Sequence, residues 1–186
     1  MHDFETTPID GLVVVRRRIF ADERGFFTER LKRSEFQKAG LPTNFVQENH
    51  SRSAPGVLRG LHYQYAPAQG KLVGVTHGSV WDVAVDIRVE SPTFGQSYGV
   101  ELNDENGLLL WIPAGFAHGF CVTGDKPADV LYQTTAEYEP TTEGGIVWND
   151  PDLAIEWPIA VPQLSKRDLE LPSFADYRAK PPDWKQ

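Results

Sequence analysis

Two histidines set among glycine and proline turns mark where this chain can do chemistry. His62 lies in Gly56-Val57-Leu58-Arg59-Gly60-Leu61-His62-Tyr63-Gln64, and His118 closes Pro113-Ala114-Gly115-Phe116-Ala117-His118. An imidazole near neutral pH either ligates a metal or moves a proton. The neighbours of His62 decide between these roles. Gln64 is a neutral amide, and Lys71 is a cation with donors only, which repels a divalent metal. The expectation is acid–base or binding chemistry without a metal or cofactor.

Such side chains need rigid elements to aim them, and the periodicity is mostly two. In Ser79-Val80-Trp81-Asp82-Val83-Ala84-Val85-Asp86-Ile87-Arg88 the residues Trp81, Val83, Val85 and Ile87 share one face, which reads as a half-buried strand. Similar strands are expected at 11–15, 26–31, 45–50, 57–63, 71–76, 98–102, 108–112, 118–123, 129–135 and 145–148, punctuated by Gly and Pro. Many closely spaced strands indicate a sandwich or barrel. One helix is expected over 34–39, capped by Ser34 and stopped at Gly40, and the Pro-interrupted end after Trp157 reads as short helical turns on the barrel. The whole chain, 1–186, is expected to form one domain, with about 163–186 as its C-terminal helical segment.

The 186 residues can bury about 70% of their surface on folding, and 40% hydrophobic with 11% aromatic content is globular. The net charge of −8 argues against sequence-independent nucleic-acid binding, which needs a positive field. No apolar run is long enough to span a bilayer. The lone Cys121 cannot form an intramolecular disulfide and the start lacks a signal-like apolar core, so a cytoplasmic protein is expected. Cys121 itself reads as a small core residue. His2, His50 and His77 have no motif around them, Asp82 and Asp86 read as turn anchors or solvated strand faces, and Arg16-Arg17-Arg18 as a charged, solvated edge strand.

The histidine spacing resembles that of metal-binding cupins, small double-stranded β-barrels. Their pattern runs glycine, five residues, His-x-His, an acid and a glycine, then glycine, five residues and Pro-x-Gly-x-x-His. Gly56, His62, Gly78, Gly107, Pro113, Gly115 and His118 match it, whereas Gln64 stands at the second histidine and Lys71 near the acid. The longer stretches Asp22-Glu23-Arg24-Gly25-Phe26-Phe27-Thr28-Glu29, Phe45-Val46-Gln47-Glu48-Asn49-His50-Ser51, Val57 to Gln64, Asp82 to Arg88 and Trp111 to Phe120 resemble the dTDP-4-dehydrorhamnose 3,5-epimerase family, from about Gly11 to Asp168.

The resemblance implies an all-β, metal-free cupin or jelly-roll barrel with short helices near both termini. It implies an isomerase that inverts C3 and C5 of dTDP-4-dehydro-6-deoxy-D-glucose through an enolate, giving dTDP-4-dehydro-L-rhamnose for polysaccharide synthesis. A proton beside a ketone is removable only by a positioned base with the enolate oxygen stabilised, and inversion needs an acid on the other face. His62 suits the base and Lys71 the enolate; by likeness Asp168 orients His62 and Tyr132 is the proton donor. Arg24, Glu29, Gln47, Glu48, Asn49, Arg59, Lys71, His118, Glu143 and Arg167 match positions holding nucleotide or sugar, with Phe27 and Tyr138 as partners for the thymine ring. Glu48 is often Asp, Gly74 often Arg and Arg167 often Lys in the family. A homodimer is implied, built by an N-terminal strand joining the partner's sheet, for which Leu12-Val13-Val14-Val15 is available.

One conflict follows from strand geometry. Arg59 and His62 are an odd number of residues apart and should face opposite sides, so a bulge is expected at Gly60. Rival functions are a mono-epimerase or ketoisomerase on a related nucleotide sugar, a non-enzymatic sugar-nucleotide-binding cupin and, weakest, a metal-dependent oxygenase.

Overall fold

Alternating side chains let each strand present one face to a shared interior, and two sheets do so. The computed structural model describes residues 2–185. One sheet has the order β1 (His2–Thr6), β2 (Val13–Arg17), β10 (Leu108–Ile112), β7 (Lys71–His77), β12 (Ala128–Thr134) and β5 (Gln47–Ser53). The other runs β13 (Glu143–Gly145), β6 (Leu58–Gln64), β11 (Phe116–Val122), β8 (Ser79–Asp86) and β9 (Ser97–Asn103). A separate hairpin pairs β3 (Ile19–Asp22) with β4 (Gly25–Thr28). Neighbouring strands are antiparallel, and Val14, Val73, Val75 and Leu110 from the first sheet meet Val80, Ala84, Leu102 and Phe120 from the second in one core. Burying each such side chain contributes about 1.5–3 kcal/mol. The all-β barrel expected from the sequence is the fold observed.

Both outer faces are partly covered too. The six-stranded sheet packs Val15, Leu72, Leu109 and Trp111 against Phe36 of α1 (Arg33–Lys38). The five-stranded sheet packs Leu61, Val83, Val85 and Ile87 against Phe174 and Tyr177 of α3 (Phe174–Ala179). The Tyr177 hydroxyl donates to the Ile87 carbonyl at 2.7 Å, locking the C-terminal segment onto the barrel.

Three expectations need correction. β8 is not half-buried: its second face points into the barrel, and Asp82 and Asp86 are both 0% exposed. Asp86 does anchor a turn, accepting from Arg88, Ser91 and Thr93, but Asp82 does neither job assigned to it. α1 begins after Lys32, whose side chain makes no capping bond, so Ser34 sits inside the helix; Gly40, at φ +75°, follows its end. The arginine-rich β2 is not an edge, because β1 pairs along one side and β10 along the other. Arg17 is consequently buried, and the edge open to another chain belongs to β1 rather than to Leu12–Val15.

Candidate active site

The irregularity expected at Gly60 is present. His118 of β11 lies opposite His62, but Phe120 lies opposite Arg59, so three residues of β6 span two of β11. Gly60 makes this feasible at φ +126°: a Cβ there would sit 2.6 Å from Gly119 Cα, leaving no room for any other residue. Arg59 and His62 thus share a cavity of about 490 Å3, with Lys71, His118, Tyr132, Arg167 and Asp168 also in its wall.

His62 Nε2 is 2.6 Å from Asp168 Oδ1. The ionised carboxylate can only accept, so Nε2 holds the proton and Nδ1 keeps a lone pair for a base's work. Asp168 is in turn fixed by α2 (Lys166–Leu169): Ser165 Oγ donates to Asp168 Oδ2 at 2.9 Å and accepts from its backbone N–H at 3.1 Å. Burial works against ionising Asp168, but hydrogen bonds from His62 and Ser165 and the charges of His62 and Arg167 outweigh it, holding the carboxyl below its usual range.

Opposite His62, the six-stranded sheet contributes Tyr132 and Lys71. Burial raises the Tyr132 pKa, assisted by the charge of Glu143 and opposed by Arg59 and a hydrogen bond with Asn49, its register partner on β5. A raised phenol stays protonated at neutral pH. Burial pushes the Lys71 ammonium down to about 8, against the pull of Glu143 and Asp82. Beneath them, His118 Nε2 contacts both carboxylate oxygens of Asp82, at 2.9 and 3.0 Å.

Gln64 is spent on backbone: its amide donates to the Pro67 and Glu137 carbonyls and accepts from the Glu139 N–H. It therefore props the loop that carries Tyr138. Among the described residues no group of three His, Cys, Asp or Glu side chains could hold a metal ion.

The other expected residues divide by position. Arg59 is aimed by Ser53, whose Oγ accepts from its Nε at 2.9 Å. At the rim, Glu143 accepts from the Tyr138 hydroxyl at 2.7 Å and pairs with Arg167 at 2.6 Å. Gln47 donates to Asn49 and accepts from the Tyr138 N–H, on the face of β5 that continues to Ser51 in the cavity wall. Glu48 faces the other way and accepts from Gln133 at 2.9 Å, so this chain does not bring it to the cavity. Arg24 and Phe27 sit on the β3–β4 hairpin and Glu29 just beyond it; none lines the cavity, and Phe27 is 65% exposed.

Sequence reasoning missed Asp82, Ser51, Ser53 and Ser165. Asp82 was recoverable, since it alternates with Val80 and Ala84, which marks a second buried face. Ser165-Lys166-Arg167-Asp168 carried a helix-start signature of Ser followed three residues later by an acid. Ser51 and Ser53 gave no comparable signal.

A sequence model described as dTDP-4-dehydrorhamnose 3,5-epimerase matches residues 6–176. The chain is 54% identical over 170 residues to dTDP-4-dehydrorhamnose 3,5-epimerase of Pseudomonas aeruginosa, covering 90% of this chain and 93% of that protein. It is similar to the crystal structure of dTDP-6-deoxy-D-glucose-3,5-epimerase from Legionella pneumophila in complex with dTDP-4-keto-L-rhamnose, with a TM-score of 0.93, 45% identity, and 100% and 98% of the two chains covered. A 3'-monoepimerase from Streptomyces bikiniensis in complex with dTDP-quinovose shares the fold with a TM-score of 0.88 at 32% identity, over 94% and 89% of the chains. The paired His62 and Asp168 face Tyr132 and Lys71 in a fold shared with these enzymes, and by the extent of those matches the chain belongs to the dTDP-4-dehydrorhamnose 3,5-epimerase family.

Proposed function

We propose that this protein is an isomerase that inverts C3 and C5 of dTDP-4-dehydro-6-deoxy-D-glucose. The observation that supports it is the placement of a base and an acid on opposing sheets of one cavity, with a cation on the acid's side. His62 Nδ1 takes the proton on the carbon next to the ketone, and the C–H electron pair moves into an enolate whose oxygen Lys71 stabilises. Tyr132 delivers its hydroxyl proton to the opposite face of the same carbon. Both groups then re-equilibrate with water, so the formula of the sugar is unchanged. Asp168 acts through His62, and Arg59 receives the diphosphate at the rim with Arg167 near it.

Incubating the 4-keto sugar nucleotide with enzyme in deuterated water, with NMR of C3 and C5, tests this. Deuterium at both carbons with the L-rhamno product is expected. Exchange at one carbon would make it a mono-epimerase, like the Streptomyces bikiniensis 3'-monoepimerase; exchange at neither would end the enzyme reading.

The whole chain reads as one cupin-type domain acting as a homodimer in the cytoplasm without a cofactor. Support for the dimer is the exposure of Phe20, Phe26 and Phe27 on the hairpin and the open edge of β1. Because Arg24, Phe27 and Glu29 lie outside their own chain's cavity, contact with the nucleotide would come through a second copy. A buried free Cys121, its thiol pushed up to about 11 by burial, suits a reducing compartment, and no helix among the described residues is long and apolar enough to cross a membrane.

A further inference from the structure

We propose a second binding site, for a small oxyanion of the phosphate class, between the β3–β4 hairpin and the outer face of the six-stranded sheet, with Arg17 and Arg30 as its ligands. The pocket measures about 290 Å3, and both guanidiniums line it. Arg17 is 7% exposed, and its Nε donates to the Gly107 carbonyl at 3.2 Å. Nη1 of Arg30 is buried with no hydrogen-bond partner. Arg16 and Arg52 pair with Glu5 and Asp129 respectively, whereas neither Arg17 nor Arg30 has an ion-pair partner among the described residues.

Two cations drawn out of water with no ion-pair partner are unfavourable, and a shared anion relieves both. Burial, with the charge of Arg30 added, pushes Arg17 down to about 10. Burial also lowers Arg30, against the pull of the Glu48 charge. An anion between them would reverse both shifts. The planar guanidinium suits a tetrahedral oxyanion, which can accept from several N–H groups at once.

The sheet surface is shaped for this. Gly74 leaves Arg30 room to lie over β7, since a Cβ there would be 3.3 Å from Arg30 Nη2 and would collide with Leu109 Cδ2. The one carboxylate in the wall, Asp104, is directed to the β7–β8 turn, where it accepts from the Gly78 N–H at 3.1 Å and lies 3.4 Å from His77 Nδ1. Lys71 and Tyr132 point from the opposite face of the sheet, so the two sites are separate.

Inorganic phosphate is the probe, titrated by calorimetry at constant ionic strength into Arg59→Ala, which removes the arginine proposed to hold the diphosphate in the first cavity. Saturable binding is expected there, and binding weaker by about tenfold or more is expected in Arg59→Ala with Arg30→Gln, because a hydrogen bond to a charged group is lost. Should Arg30→Gln fail to fold, the Arg17 site is read through phosphate protection of Arg59→Ala against thermal unfolding relative to chloride, where no protection overturns the proposal. Equal binding with and without Arg30→Gln, or none in Arg59→Ala, overturns it as well. A change in sedimentation on Arg30→Gln without phosphate binding would also overturn it, and would assign the arginines to a carboxylate on a second copy of this chain.

Discussion

At the residue scale the proposed base, His62, and the proposed acid, Tyr132, are separable because they stand on different sheets. His62→Ala should lose both solvent exchange and inversion, with activity down by about 10²–10⁴, the range for a positioned acid–base group. Tyr132→Phe should retain exchange at the carbon deprotonated by His62 while losing inversion. Mass spectrometry of recovered substrate distinguishes them, and wild-type exchange in His62→Ala would refute the assignment. Lys71 is expected to set the alkaline limit. With its pKa lowered from 10.5 to about 8, the cation is present below about pH 8 and lost above it. Plots of kcat/KM against pH should therefore fall through that region, and in Lys71→Arg the fall should disappear from whatever activity remains. A wild-type limb lying above pH 10 would exclude Lys71 as the charged group. Ser51 adds a smaller effect: its Oγ is buried without a hydrogen-bond partner, a placement that costs stability unless a ligand reaches it after rotation of the side chain.

At the scale of elements, Gly60 and Gly25 form a natural comparison. Their φ angles are +126° and +128°, but a Cβ at Gly60 meets the backbone of Gly119 while one at Gly25 meets nothing within 4 Å. Gly25→Ala should cost the strain of the backbone conformation, about 1–3 kcal/mol. Gly60→Ala should cost several kcal/mol more, because backbone cannot step aside as a flexible side chain can. Urea unfolding of both variants checks this, and equal losses would mean that the close approach is unimportant. The strands were legible where a short apolar run stood between turn residues, as in Leu108–Ile112, and illegible where polar residues filled both faces, as in His2–Thr6. Asp82 was misread for a deeper reason: a strand between two buried layers shows no polar face, so its carboxylate looked like solvent exposure when it was a partner for His118. The His62–Asp168 pairing spans 106 positions and rested on family likeness, because nothing local in either segment encodes it.

For the whole molecule, an overall charge of −8 and a nucleotide diphosphate ligand are compatible only if the positive potential is local. Arg59→Ala should weaken thymidine diphosphate binding by about 1.5–3 kcal/mol, whereas Arg16→Ala, exposed and paired with Glu5, should change it little. Calorimetry on the two variants decides, and comparable losses would displace the diphosphate from the rim. Acid tolerance is a second global property. Hydrogen bonds from Arg52 above all hold Asp129 down to about 2, whereas an unfolded aspartate titrates near 3.9. The unfolded chain binds this proton first, so the contribution is complete above about pH 4 and is lost as pH falls towards 2. Circular dichroism should show the unfolding midpoint of Arg52→Ala displaced to higher pH, and an unchanged midpoint would remove the pair from the account.

The three-against-two pairing of β6 with β11 also governs inheritance. Arg59 and His62 share a cavity because of how many residues separate them as much as because of what those residues are. A lineage of this protein can exchange one side chain for another along β6 and adjust its chemistry by degrees. The number of residues admits no such gradation: one more residue between positions 59 and 62 would turn one of the two side chains to the far side of the sheet in one step, whereas loss of Gly60 would leave two residues against two, a regular ladder that keeps both on one face. An insertion should therefore be borne more easily in the connecting turns than in this interval, where the count of residues carries function as much as their identities do.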